Sequence, residues 1–282
     1  MARAFSINLF LKDGDPEGLR IITQLNKTGV GVVFNRSTFA ESRKDEHFDK
    51  PGVYVLVGAL DDSTLPVVYI GEAENIRERL INHNSKLDFW DKAIFFTTSN
   101  NSLNKAHVKY LEAKLYAIAQ ENKSCTIKNT QIPKKAILSA QDEAYAESLL
   151  ADMLMTFPIV GLSVFEKVKK PKSKNKILHI TAKGLTGTGY ESASGFVVCK
   201  GTQVYGKEAK SIHKSTSFIR TDLITQGVLA KDGEHYVFTQ DYSFTSVSSA
   251  AAVVLARTAN GRIEWKDKSG KTLKQLQEEV TG

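Results

Sequence analysis

The chain has 282 residues, too many for one compact module and a better fit to two domains or three small ones. With 41% hydrophobic and 24% charged residues it can bury a real core, which excludes a disordered tail or a fibre. The formal charge of +7 points to a polyanionic partner, but residues 1–165 carry −1, residues 166–176 +5, residues 177–190 +1 and residues 191–282 +2, so most of the excess is one lysine run.

In chain order, the first fifty residues read as β ribbon. Ser6 to Leu11, Leu19 to Leu25 and Val30 to Phe34 are short apolar runs separated by Asp13-Gly14, Pro16, Gly18 and Asn26-Lys27-Thr28-Gly29. From Gly52 the run Val53 to Val57 breaks at Asp61-Asp62-Ser63-Thr64 and resumes as Val67 to Gly71, which predicts a hairpin with a generous loop. A helix is expected from about Asn75 to His83, a strand from Ala93 to Thr97, and a longer helix from about Asn104 to Gln120. Residues 139–165 look helical and lead into Glu166-Lys-Val-Lys-Lys-Pro-Lys-Ser-Lys-Asn-Lys176, a lysine-dense linker and the expected domain boundary. Beyond it, Gly195 to Tyr205 reads as a strand pair around Lys200-Gly201-Thr202, Thr221 to Leu229 as a short helix ending at Gly227, and His235 to Thr239 as a strand. Ser246 is a plausible N-cap for Ser248 to Arg257, and Asn260-Gly261 is a tight-turn signal before Arg262 to Trp265. Cys125 and Cys199 have no partner at ligand spacing, so neither a disulfide framework nor a zinc site is indicated, and each reads as a small buried or half-buried residue. The N-terminus lacks an apolar core long enough for a signal peptide, and no apolar run reaches roughly eighteen residues. A soluble cytoplasmic protein with no membrane partner is expected.

Two helices carry polar residues where packing residues belong. On a helical wheel Val108, Leu111, Leu115 and Ala119 form one apolar stripe, and Glu112, one turn after Val108, falls inside it. A carboxylate there costs several kcal/mol to desolvate unless it is paired or bound to a cation. In the preceding helix Arg79 and His83 lie on the same side of the wheel as Ile76 and Leu80, so an arginine and a histidine one turn apart share the face that should pack. Taken singly, each has an ordinary structural reading. Together, beside two tyrosines on paired strands, they offer a guanidinium for a phosphate, a carboxylate for a hard divalent ion, and phenol and imidazole for proton transfer, which is what phosphodiester cleavage needs.

Gly52-Val53-Tyr54, then Val68-Tyr69-Ile70-Gly71, then Arg79 ten residues after the second tyrosine and His83 four further on, resemble the GIY-YIG nuclease superfamily over roughly residues 50–135. The resemblance extends to Leu111-Glu112-Ala113 and to Asn129 in Lys128-Asn129-Thr130. It implies an α+β fold, a small antiparallel sheet flanked by helices, and a catalytic set of Tyr54, Tyr69, Arg79, His83, Glu112 and Asn129. In that set Tyr54 deprotonates the attacking water, directly or through a neighbour, and His83 takes the proton on. Tyr69 holds or protonates around the scissile phosphate, Arg79 contacts it, Glu112 is the single protein ligand of Mg²⁺ or Mn²⁺, and Asn129 supports the site. Two departures stand out: fourteen residues separate Tyr54 from Tyr69, more than is usual, and Glu72 follows Tyr-Ile-Gly where a small hydroxyl residue is usual, adding negative charge near the phosphate path.

Over about residues 195–275 the chain resembles a domain of unknown function often found behind such nucleases, on Phe238-Thr-Gln-Asp241-Tyr-Ser-Phe244, Ser246-Val-Ser248-Ser249-Ala-Ala-Ala252, Asn260-Gly261 and Trp265. The last three groups are also similar to a domain associated with restriction enzymes and adenine methylases, thought to recognise DNA. Each of these residues equally serves packing: a helix cap, a close helix contact, a turn and a core tryptophan. The resulting organisation is an N-terminal β ribbon extension over residues 1–50, the nuclease domain over 51–135, a helix and lysine-rich linker over 136–190, and a second small α+β domain over 191–282. The expected activity is a divalent-metal-dependent endonuclease acting on single- or double-stranded DNA, in a restriction or phage-defence setting, with a homodimer or a second binding event needed if two strands are cut. The alternatives are a catalytically inactive nucleic-acid binding module and a protein-interaction adaptor.

Overall fold

A computed structural model describes residues 4–59, 65–166, 177–182, 184–192 and 195–281. The run Lys167 to Lys176 and most of the expected Asp61 to Pro66 loop lie outside the described residues. The protein is α+β and divides after Glu166 into two compact units.

The first unit is built on β1 (Ile7–Leu11), β2 (Arg20–Gln24), β3 (Gly29–Asn35), α1 (Phe39–Ser42), β4 (Gly52–Gly58), β5 (Val67–Ala73), α2 (Ile76–Lys86), β6 (Trp90–Thr98), α3 (Lys105–Asn122), β7 (Thr126–Ile127) and α4 (Ala140–Ile159). One seven-stranded sheet runs β1-β2-β3-β6-β4-β5-β7, with antiparallel pairs throughout except β5 with β7. The three N-terminal strands thus continue the sheet through β3 and β6, where an extension was expected. Period-two alternation gives each strand two apolar faces. Val53, Val55, Val68 and Ile70 point to the side covered by α3 and α4, and pack with Val108, Leu111, Leu115 and Leu149. Tyr54, Leu56 and Phe95 point to the other side and pack with Ile76 and Leu80 of α2. On that side Phe34, Phe39, Phe48, Trp90 and Phe95 form a ring cluster, with Phe48 and Phe95 4.8 Å apart edge to face. Helix α4 stops at Ile159, short of the expected 165, because Pro158 and Gly161, at φ +79°, end it. Its Ala146, Leu149, Leu150, Met153 and Phe157 belong to this unit's core, so it is no part of a linker.

The second unit contains β8 (Leu178–Ala182), β9 (Leu185–Ser192), β10 (Gly195–Val198), β11 (Gln203–Val204), α5 (Lys214–Thr225), β12 (Leu229–Asp232), β13 (His235–Phe238), β14 (Tyr242–Phe244), α6 (Val247–Leu255), α7 (Gly261–Glu264) and α8 (Leu273–Thr281). Two small sheets, β14-β10-β9-β8 and β11-β13-β12, hold its core. Its first hairpin, β8 with β9, starts before the expected boundary at 191. The expected strand pair over Gly195 to Tyr205 is two strands in different sheets: β10 pairs with β9 and β14, and β11 with β13. Helix α5 begins seven residues before the expected Thr221. Its Arg220, 2% exposed, gives its guanidinium donors to the Val253 and Tyr205 carbonyls, both at 2.6 Å, and to Glu208 at 3.0 Å, which satisfies a charge that burial would otherwise make costly. Among the described residues no helix is long and apolar enough to cross a membrane.

Candidate functional site

The β4–β5 register sets Tyr54 opposite Gly71 and Leu56 opposite Tyr69, so both tyrosines point to the face that carries α2. Gly71 is required by this packing: a Cβ there would stand 2.3 Å from both Cζ and the hydroxyl oxygen of Tyr54. The phase of α2 is set by its N-cap, Asn75, whose side chain accepts from the Glu78 amide at 3.0 Å. Ile76 and Leu80 then pack inward and carry His83 with them, 8% exposed. The Tyr54 hydroxyl meets His83 Nε2 at 2.7 Å, and Arg79 Nε donates to the same hydroxyl at 3.2 Å. The Tyr54 and Tyr69 rings stack 6.2 Å apart at 16°, and His83 lies 4.8 Å from the Tyr69 ring. The helical wheel put Arg79 on the packing face, but the residue is exposed, with Nε turned inward to the Tyr54 phenol and a further contact to Tyr69. A long side chain satisfies both demands by reaching around the helix.

Burial pushes the Tyr54 phenol far above its ordinary range, against the pull of Arg79. Burial, helped by the Arg79 and Lys86 charges, lowers His83 to about 4. Arg79 is raised, because its contacts with Tyr54 and Tyr69 outweigh its desolvation. Phenol and imidazole are therefore both neutral at neutral pH. Arginine can only donate, so the Tyr54 oxygen accepts from Arg79 and the phenol gives its own proton to His83 Nε2.

Glu112 approaches from the other side of the sheet. Val108, Leu111, Leu115 and Ala119 of α3 are fully buried, and Glu112 is half-buried at the margin of their stripe. It makes no hydrogen bond or ion pair among the described residues. Burial first, and the neighbouring Glu72 second, raise its pKa to about 7, against Arg79, Lys105 and Lys109. Glu72, placed by the sequence near the phosphate path, alternates to the α3 side, where its carboxylate receives Lys105 Nζ at 3.0 Å. Only the structure reveals this second carboxylate beside Glu112. Among the described residues no group of three or more His, Cys, Asp or Glu stands together as a ready metal cage.

Asn129 joins neither set. Strand β7 pairs with β5 only at Val67 and Val68, and the Asn129 side chain supplies the next rung, accepting from the Ile70 amide at 3.0 Å and donating to its carbonyl at 2.6 Å. It holds β5 between Tyr69 and Gly71. Among the described residues no strand covers the outer edge of Gly71 to Ala73.

In the second unit the expected residues serve packing. Ser246 caps α6 through the Ser249 amide at 3.0 Å, and Ala250 to Ala252 are buried. At the expected tight turn Asn260 caps the short helix α7 through the Arg262 amide at 3.1 Å, since its side-chain oxygen competes well for free helix amides. Trp265 is fully buried with its ring 4.6 Å from Phe196. Comparison with known proteins bears only on this unit. No curated protein and no solved structure matches the chain. Residues 178–277 match a family described as a domain of unknown function, DUF4357.

Proposed function

We propose that the first unit is a divalent-cation-dependent endonuclease of the GIY-YIG kind, hydrolysing phosphodiester bonds in DNA. The observation that carries this reading is the Tyr54 hydroxyl, bonded at once to His83 Nε2 at 2.7 Å and to Arg79 Nε at 3.2 Å. With the phenol raised and the imidazole near 4, a resident phenolate is costly. The favourable path is a relay in which Tyr54 accepts a proton from water as it passes its own to His83. Arg79 holds the Tyr54 oxygen through Nε and also contacts Tyr69, and its exposed guanidinium can meet a phosphate oxygen beside them. Tyr69, half-buried and stacked on this pair, is the more accessible hydroxyl for the substrate.

The residues fit a hard cation. Glu112 is a half-buried carboxylate that makes no hydrogen bond or ion pair among the described residues and lies near Glu72, and oxygen donors of this kind suit Mg²⁺ or Mn²⁺. Glu112 would hold the ion, which supplies charge neutralisation at the phosphate and the leaving oxygen. Recognition of DNA is assigned to the second unit on its resemblance, through exposed side chains and not through Ser246, Asn260 or Trp265.

The test is cleavage of plasmid and single-stranded DNA with Mg²⁺ or Mn²⁺ by the parent, Glu112→Ala and Arg79→Ala. Each variant is expected to lose roughly 10²-fold or more in rate. Variants that cleave as well as the parent remove the proposed mechanism. DNA binding without cleavage by the parent under either cation would make the protein a binding module.

A further inference from the structure

The seven-stranded sheet ends at β1, and no strand pairs with its outer edge among the described residues. Exposed edges are ordinarily blunted by a charge, a proline or a bulge. The β1 sequence, Ile7-Asn8-Leu9-Phe10-Leu11, has none of these, and Leu9 and Phe10 are 50% and 55% exposed. The ladder fixes which backbone groups face outward. The Lys12 amide donates to the Leu19 carbonyl at 3.1 Å, so Lys12, and by alternation Phe10 and Asn8, bond to the β2 side. The amides of Ile7, Leu9 and Leu11 and the carbonyls of Ile7 and Leu9 turn to the open side, while the Leu11 carbonyl also accepts from the Gly14 amide at 3.2 Å.

We propose that this edge joins two copies of the chain, β1 pairing antiparallel with β1 of the second copy about a two-fold axis at Leu9. The strand is self-complementary in this register. Leu9 faces Leu9, exchanging two hydrogen bonds, and Ile7 faces Leu11, where the Leu11 amide meets the Ile7 carbonyl and the Leu11 carbonyl takes the Ile7 amide as a second donor beside Gly14. On the opposite face Asn8 lies beside Phe10. No charged side chain opposes another, and Lys12 falls opposite Ser6. A one-residue slip sets the outward groups against residues already bonded to β2, so it forms no ladder. The inference rests on the ribbon alone and is independent of the catalytic reading. The register runs Phe10 to Ile21 to Val32 to Phe95 to Tyr54, four strands in from the edge. At about 4.8 Å per strand the two Tyr54 side chains lie about 43 Å apart along the joined sheet, so each centre works alone.

Sedimentation velocity on the full chain over a concentration series is the test. The parent is expected to be a dimer. Leu9→Lys, which opposes two ammonium groups at the axis, is expected to be monomeric with an unchanged circular-dichroism spectrum, since Leu9 is half exposed, and to melt at a temperature that no longer rises with protein concentration. Leu9→Cys is expected to form a disulfide-linked dimer under mild oxidation, with the parent unlinked by the same oxidant. A parent that stays monomeric at every concentration, a Leu9→Lys dimer, or a Leu9→Cys chain that does not cross-link overturns the proposal, whatever else occupies the strand.

Discussion

A methyl group on residue 71 would stand 2.3 Å from the Tyr54 ring and hydroxyl, so Gly71→Ala must displace the phenol that His83 and Arg79 share. The expected cost is about 1–3 kcal/mol of stability with a larger loss of cleavage, checked by denaturant melts beside rate measurements. Glu112 makes a prediction of opposite sign. Its folded pKa of about 7 lies above the ordinary carboxylate value, so the folded chain binds the proton more tightly. Stability then falls as pH rises from about 4.5 to 7, and the full penalty stands above 7. Glu112→Gln removes it and should be more stable than the cation-free parent at pH 8, by about 1–3 kcal/mol after allowance for partial exposure, and equal to it at pH 4. His83 slopes the other way: its pKa is lowered to about 4, so stability is lost as pH falls from about 6.5 to 4. In the parent the two slopes oppose between about 4.5 and 6.5, and in Glu112→Gln the histidine slope stands alone. Melts across this range, without divalent cation, decide the matter; a variant no more stable than the parent at pH 8 would mean that Glu112 is well solvated.

Strand β5 is held on its outer side by two residues of β7 and one asparagine side chain. Asn129→Ala removes both bonds to Ile70 and leaves its amide and carbonyl without a protein partner, so a destabilisation of about 1–3 kcal/mol is expected. Since Asn129 touches neither Tyr54 nor Glu112, turnover should fall through displacement of Tyr69 and Gly71, with DNA affinity nearly unchanged, as binding titrations and single-turnover rates can separate. The same strand shows what the sequence made legible. β4 and β5 are near-continuous apolar runs between breakers, and α2 and α3 carry apolar stripes, so these elements and the residues on them were readable within a few positions. Partners distant in sequence were not. β10 lies beside β14, more than forty residues on, and nothing local distinguishes that from a hairpin with β11. The first half of α5 carries Lys214, Ser215, Thr216 and Ser217 with no side-chain cap from His213, so neither periodicity nor a start signal announced it. In the site, the wheel identified Arg79 and Glu112 as misplaced, but the partners each one meets, the Tyr54 phenol for Arg79 and Glu72 for Glu112, came from the structure. Glu72 was conspicuous in sequence for its charge, while its place beside Glu112 came from strand parity.

The distribution of charge assigns the work of binding DNA over the whole chain. Residues 1–165 carry −1, so the first unit has little general attraction for a polyanion and must rely on Arg79 and a bound cation at one phosphate. It should therefore bind DNA weakly when separated from the rest. Six lysines, Lys167, Lys169, Lys170, Lys172, Lys174 and Lys176, follow directly after the division at Glu166 in sequence. Each lysine that sits on a phosphate adds roughly 0.9 to the slope of log affinity against log salt, through released counterions. Changing all six to glutamine should flatten that slope by several units, up to about 5, and weaken binding alike on every sequence, because phosphate contacts carry no base information. The catalytic rate at saturating DNA should stay the same, since none of the six belongs to the Tyr54, Arg79 and Glu112 set. An unchanged slope would make the run a solvated tether and move the electrostatic contribution to the exposed lysines of the second unit. A slope that flattens on one sequence only would instead mean that the run takes part in recognition.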